Sequence, residues 1–94
     1  MQKYETLFVI DPTLAEEERV ALIERVKALI EAKGKVEKVD EWGMRKLAYK
    51  INNKFREGYY VLIEFEAGND CLDELNHVFR ITENIIRDII VKRY

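Results

Sequence analysis

The side chains best suited to chemistry in this sequence are one cysteine and one histidine, Cys71 and His77. They stand six positions apart, whereas a shared helix face needs a spacing of three, four or seven. A thiol and an imidazole so placed make neither a nucleophile with its base nor a metal site, which needs three or four ligands. Near a helix start Cys71 could ionise more easily, but an inert, partly buried thiol is the commoner state. The carboxylates are scattered over helix faces and offer no paired acid and base. Glycines stand singly at 34, 43, 58 and 68, so no glycine-rich loop cradles a phosphate. The residues point to no catalysis, no metal, no cofactor and no small-molecule substrate.

Charge is the more informative chemistry. The chain carries 16 Lys and Arg against 18 Asp and Glu, a formal net charge of −2. Residues 42–58 nonetheless hold five cations against one anion, net +4, and residues 84–94 hold three against one, net +2. The rest is acidic. A local patch matters more than the total when the partner is a polyanion. Arg45, Lys46 and Lys50 belong to the first basic stretch, "GMRKLAYKIN" (Gly43–Asn52), and Arg87, Lys92 and Arg93 to the second. Lys3 sits at the opposite end of the chain. These seven are the candidate phosphate contacts.

Elements must position them. Ninety-four residues, 48% apolar with one proline, predict one folded domain spanning residues 1–94. No apolar run reaches the roughly 18 residues of a membrane span, and the first residues lack the plan of a signal peptide. A lone cysteine fits a reducing, cytoplasmic setting. "YETLFVI" (Tyr4–Ile10) reads as a strand stopped by Asp11-Pro12. Thr13 and Glu16 then match a capping box, and Leu22, Ile23, Val26, Leu29 and Ile30 make a helical stripe ended by Gly34. Lys35 to Tyr49 alternates with slips, which predicts a long strand with a bulge near Gly43. Asn52–Gly58 reads as a turn and Tyr59–Ala67 as a strand. Asn69 or Asp70 should cap a helix with the stripe Leu72, Leu75, Val78 and Phe79. Asn84–Lys92 closes the chain as a fourth strand.

The order β-α-β-β-α-β is the ferredoxin-like plan, an α+β fold with a four-stranded antiparallel sheet and two helices on one face. Right-handed crossovers place the first and third strands in the middle. Strand side chains alternate, so Leu7, Val9, Tyr60 and Leu62 fall on the face without helices, together with Glu5, Glu64 and Glu66. Those four apolar residues form a candidate protein-binding patch. "EGYYVLIEF" is similar to the aromatic strand of RNA-recognition modules, which share this order of elements, and a free-standing module of that kind is the alternative reading. Glutamates on the same face repel phosphate, however, and Tyr60 stands where such modules keep a small residue. Protein is the better cover.

"GMRKLAYKIN" resembles the signature stretch of one family, the sixth protein of the bacterial small ribosomal subunit. Gly43, Arg45, Lys46, Leu47, Ala48, Tyr49 and Ile51 fit it, and Lys50 stands where several members have proline. "KYE" (Lys3–Glu5), Asp11-Pro12, "EWG", "GYYVL" and "FRITENIIR" (Phe79–Arg87) extend the resemblance over nearly the whole chain. The resemblance implies a ferredoxin-like fold, no catalytic activity, and a place in the central domain of the small subunit. It also implies joint binding to ribosomal RNA with the eighteenth small-subunit protein, in the cytoplasm, with a heterodimer as the bound species.

Overall fold

The structure, a computed structural model, describes the backbone of residues 2–51 and 55–93 and the side chains of residues 2–46 and 57–93. Its elements are β1 (Gln2–Ile10), α1 (Glu16–Lys33), β2 (Lys35–Ile51), β3 (Phe55–Ala67), α2 (Asn69–Ile81) and β4 (Ile85–Lys92). The strands form one antiparallel sheet in the order β2-β3-β1-β4, the ferredoxin-like arrangement with β1 and β3 central.

Alternation fixes which face each strand gives to the helices. Tyr4, Phe8 and Ile10 of β1 and Val61, Ile63 and Phe65 of β3 are buried against Leu22, Ile23, Val26 and Ile30 of α1 and Cys71, Leu75 and Phe79 of α2. Burying each large apolar side chain contributes about 1.5–3 kcal/mol. Phe8 meets Phe79 with ring centroids 5.3 Å apart in a tilted pair. Thr6 is the one buried polar residue among those described. Its hydroxyl donates to the Ile89 carbonyl at 3.0 Å, which satisfies it and ties β4 to β1.

The local punctuation differs from the sequence reading in three places. Thr13 does not cap α1: both its N–H and its hydroxyl donate to Asp11 Oδ1, at 2.8 and 2.7 Å. The Asp11 side chain thus closes its own turn around Pro12, and α1 begins two residues later from Ala15 with no side-chain cap. Asn69 and Asp70 lie inside the first turn of α2, whose N-cap is Gly68. Gly34 ends α1 as expected, in an extended conformation with φ −159°. Close approach explains that glycine, because a Cβ there would run into the Glu66 carbonyl oxygen and Ala67 of β3.

The third difference matters most for function. Phe55–Gly58 is strand, not turn. Arg45 pairs with Gly58, Lys46 with Glu57 and Ile51 with Phe55, whereas β1 ends at the pair Ile10–Tyr59. Beyond Tyr59 the β2–β3 hairpin therefore runs on as a two-stranded arm. Its sequence from Asn52 to Gly58 lacks the apolar alternation of a core strand and so imitates a turn. Asn52–Lys54 lie outside the described residues.

Candidate nucleic-acid and partner interface

Strand register sorts the face without helices into rows. Arg87 of β4 opposes Val9 of β1, Val9 opposes Tyr60 of β3, and Tyr60 opposes Gly43 of β2. The next row is Ile89, Leu7, Leu62 and Asp40, and the one after it Val91, Glu5, Glu64 and Lys38. Lys3, Glu66 and Lys35 follow. The face thus grades from apolar near its middle to charged at the chain termini.

Of the four residues expected to make the apolar patch, Leu7, Tyr60 and Leu62 are half-buried and accessible. Val9 is on the expected face but only 3% exposed. It lies against Gly58, with Ile86 also close to that glycine, so it supports the patch from beneath and offers little contact area. Three residues that the sequence reading missed enlarge the patch: Ile89 is 52% exposed, Val91 44% and Trp42 37%. "IIRDIIVK" has apolar residues on both faces, which hid Ile89 and Val91 from an alternation argument. The register shift between Glu41 and Gly43 turns Trp42 onto the face, where it stacks on Tyr60 with ring centroids 6.1 Å apart and planes within 6°. Gly43 has φ +83°, a left-handed conformation that glycine adopts without strain, as its place beside a predicted bulge required.

The cations fall into two groups at opposite ends of the sheet. Arg45 and Lys46 are exposed on the arm, and Arg87 is exposed in the row nearest to it. Lys3, Lys92 and Arg93 lie at the other end, where the Arg93 N–H donates to the Lys3 carbonyl at 2.8 Å. The sequence reading had placed Arg87 with Lys92 and Arg93. Six residues of extended chain at about 3.3 Å each separate Arg87 from Arg93 by some 20 Å, so Arg87 joins the arm instead. The side chain of Lys50 lies outside the described residues, as do those of Leu47 and Tyr49.

These cations differ in how they are engaged. The Arg93 guanidinium contacts Glu64 Oε1 at 2.7 Å, and Lys3 Nζ is 3.8 Å from Glu37. Arg45 lies over the Trp42 ring, 5.2 Å from its centroid. Arg87 and Lys92 also have partners. On the helix side Arg19 covers the Tyr59 ring at 4.1 Å, and the Tyr59 hydroxyl donates to Glu41 Oε1 at 2.8 Å. Burial and that acceptor push the Tyr59 phenol up from its ordinary value.

The lone cysteine and the lone histidine lie in different settings. Cys71 is buried in the core, its thiol pushed up by desolvation and by the carboxylates of Asp70 and Glu74. His77 is exposed, on a shallow groove between the helices beside Leu29, Asp73, Glu74 and Val78. Among the described residues no cluster of three or more side chains is placed to hold a metal, and no helix is long and apolar enough to cross a membrane.

An open, partly apolar sheet face flanked by two basic ends is the surface of a binding protein built on the ferredoxin-like fold. Comparison with known proteins places it more narrowly. Residues 3–92 match the ribosomal protein S6 family. Small ribosomal subunit protein bS6 of Clostridium novyi (strain NT) is 53% identical over 92 residues, covering 97% of this chain and 96% of that protein. Its counterpart in Clostridium perfringens (strain 13) is 56% identical over 93 residues, with 98% and 97% covered. The crystal structure of 30S ribosomal protein S6 from Thermotoga maritima superposes with a TM-score of 0.92 at 46% identity, covering 98% of this chain and 87% of that one. The chain belongs to the ribosomal protein S6 family. It is a ribosomal protein of the small subunit and not an enzyme.

Proposed function

We propose that this protein is a structural constituent of the cytoplasmic small ribosomal subunit that binds the central domain of its RNA jointly with the eighteenth small-subunit protein. The observation that carries the reading is the family match over residues 3–92, joined to a surface that divides its labour. The arm end, with Arg45, Lys46 and Arg87, faces the phosphate backbone, and Lys50 is assigned to the same group. Lys3, Lys92 and Arg93 make a second, weaker contact at the far end, because Glu37 and Glu64 already engage the charge of Lys3 and Arg93.

The middle of the open face takes the partner protein. Leu7, Tyr60 and Leu62, with Val9 beneath, supply its apolar area, and Ile89, Val91 and Trp42 extend it. Glu5, Glu64 and Glu66 disfavour a polyanion there and suit a basic partner. This distribution speaks against bases stacking on the sheet, as a free-standing RNA-recognition module would have them. One core cluster drawing on β1, β3 and both helices supports reading residues 1–94 as one domain.

Sedimentation tests the reading as a whole. The protein should travel with small ribosomal subunits at low salt and be stripped from them by high salt, as phosphate-dominated binding requires. A protein that stays at the top of the gradient at every salt concentration contradicts it.

A further inference from the structure

Trp42, Asp40, Tyr60 and Arg45 form a connected stack at the base of the arm. The Trp42 Nε1–H donates to Asp40 Oδ2 at 3.2 Å, which sets the tilt of the indole. The Tyr60 ring lies parallel to it. The Arg45 guanidinium carbon is 5.2 Å from the indole centroid, within the roughly 6 Å over which a ring attracts a cation. The register shift at Glu41–Gly43 and the positive φ of Gly43 bring these groups to one face.

We infer that Trp42 is a positioning residue for Arg45, holding its guanidinium where it meets a backbone phosphate of the RNA. The inference rests on the proposal that Arg45 contacts RNA. A guanidinium on a ring face keeps its N–H groups pointing outward in its own plane, so it is restrained and still able to grip a phosphate with two hydrogen bonds. An exposed arginine without that ring must give up its rotamer freedom on binding, and a fixed one has already done so. A lysine at position 45 would stack less well and grip at one point.

The test is a double-mutant cycle on the heterodimer with the eighteenth small-subunit protein, bound to a central-domain fragment of small-subunit ribosomal RNA. Trp42→Leu should weaken RNA binding by about two- to five-fold, the range of an exposed cation–ring contact. Trp42→Phe, which keeps a ring, should recover most of that loss. In an Arg45→Ala background, with the heterodimer held fully formed by excess partner protein, Trp42→Leu should change RNA affinity no further. Trp42 is the only tryptophan, so its quenching by acrylamide reports the contact without RNA, and Arg45→Ala should increase it. If Arg45→Ala weakens RNA binding but Trp42→Leu does not, or if the two losses add, the positioning role is wrong and the RNA contact stands. Unchanged quenching in Arg45→Ala likewise overturns the positioning role. If Arg45→Ala leaves RNA affinity unchanged, the RNA contact itself is wrong and the positioning role falls with it.

Discussion

Glu5 and Glu64 stand directly opposite each other across the β1–β3 pair, on the face without helices. Two like charges at paired positions of central strands repel at the distance where cross-strand neighbours interact most. Arg93, just past the end of β4, answers them by reaching Glu64 at 2.7 Å. Arg93 thus offsets part of that repulsion from within the chain.

That arrangement sets the first prediction. Arg93→Ala should lower stability by about 0.2–1 kcal/mol, since the pair is only partly shielded from water. For a domain of this size such a loss lowers the melting temperature by about 1–8 °C. Glu64→Gln in the same background should return most of it, because the repulsion goes with the charge. An equal or larger loss in the double variant, followed by thermal melting, would show that Glu64 is not the group that Arg93 relieves.

Two glycines should fail for different reasons when replaced by alanine. At Gly43 there is open space around a Cβ but φ is +83°, so Gly43→Ala should cost about 1–2 kcal/mol from left-handed backbone alone. Asparagine, which tolerates that conformation, should cost less. At Gly34 the backbone is ordinary, but a Cβ meets the Glu66 carbonyl oxygen and Ala67. Gly34→Ala should therefore cost about 1–3 kcal/mol as overpacking, and asparagine, being larger, should cost more still. Chemical denaturation of the four variants separates strain from crowding by the opposite order of alanine and asparagine at the two positions.

Much of this architecture was legible because alternation and helical spacing carry it. β1, α1 and α2 follow from where the apolar residues recur, and the order of elements then dictates β1 and β3 at the centre. Thr13 misled because Asp11 competes for the same hydroxyl, a contest that spacing alone does not decide. The arm was hidden because strand pairing without a third strand or a core leaves no periodic trace in Phe55–Gly58. The charged ends of the site were visible as a basic stretch, but their division was not: which cations share an end of the sheet depends on strand length, and β4 is long enough to part Arg87 from Arg93.

Buried and unpartnered by any base, Cys71 should resist thiol reagents at neutral pH and react only as fast as the fold opens. Its titration also shapes stability. Unfolded, the thiol ionises near about pH 8.5; folded, desolvation first and then Asp70 and Glu74 hold it higher. In the window above the unfolded value the unfolded chain has released a proton that the native chain retains, so stability falls as pH rises. Between about pH 7.5 and 9.5 the wild type should lose more stability than Cys71→Ala. Parallel pH profiles for the two would mean that the thiol is not held protonated by the fold.

Leu62 lies in the middle of the open face, between Leu7 and Asp40 in the same row. Leu62→Glu should weaken association with the eighteenth small-subunit protein by an order of magnitude or more, since a charge buried without a partner at an interface costs about 2–5 kcal/mol. The half-exposed site should leave the fold intact, which circular dichroism and thermal melting check. Unaltered heterodimer formation, measured by calorimetric titration, would place the partner elsewhere.

The central claim, that the arm end of the sheet meets ribosomal RNA through phosphate contacts, is tested most directly by the salt dependence of binding. The measurement is the affinity of the heterodimer for a central-domain RNA fragment over a range of salt concentrations, for the wild type and for Arg45→Ala, Lys46→Ala. Each lost phosphate contact removes about 0.7–0.9 from the slope of log affinity against log salt. The account predicts a shallower slope by about 1.4–1.8 for the double variant, at an unchanged melting temperature. A slope identical to that of the wild type would contradict it.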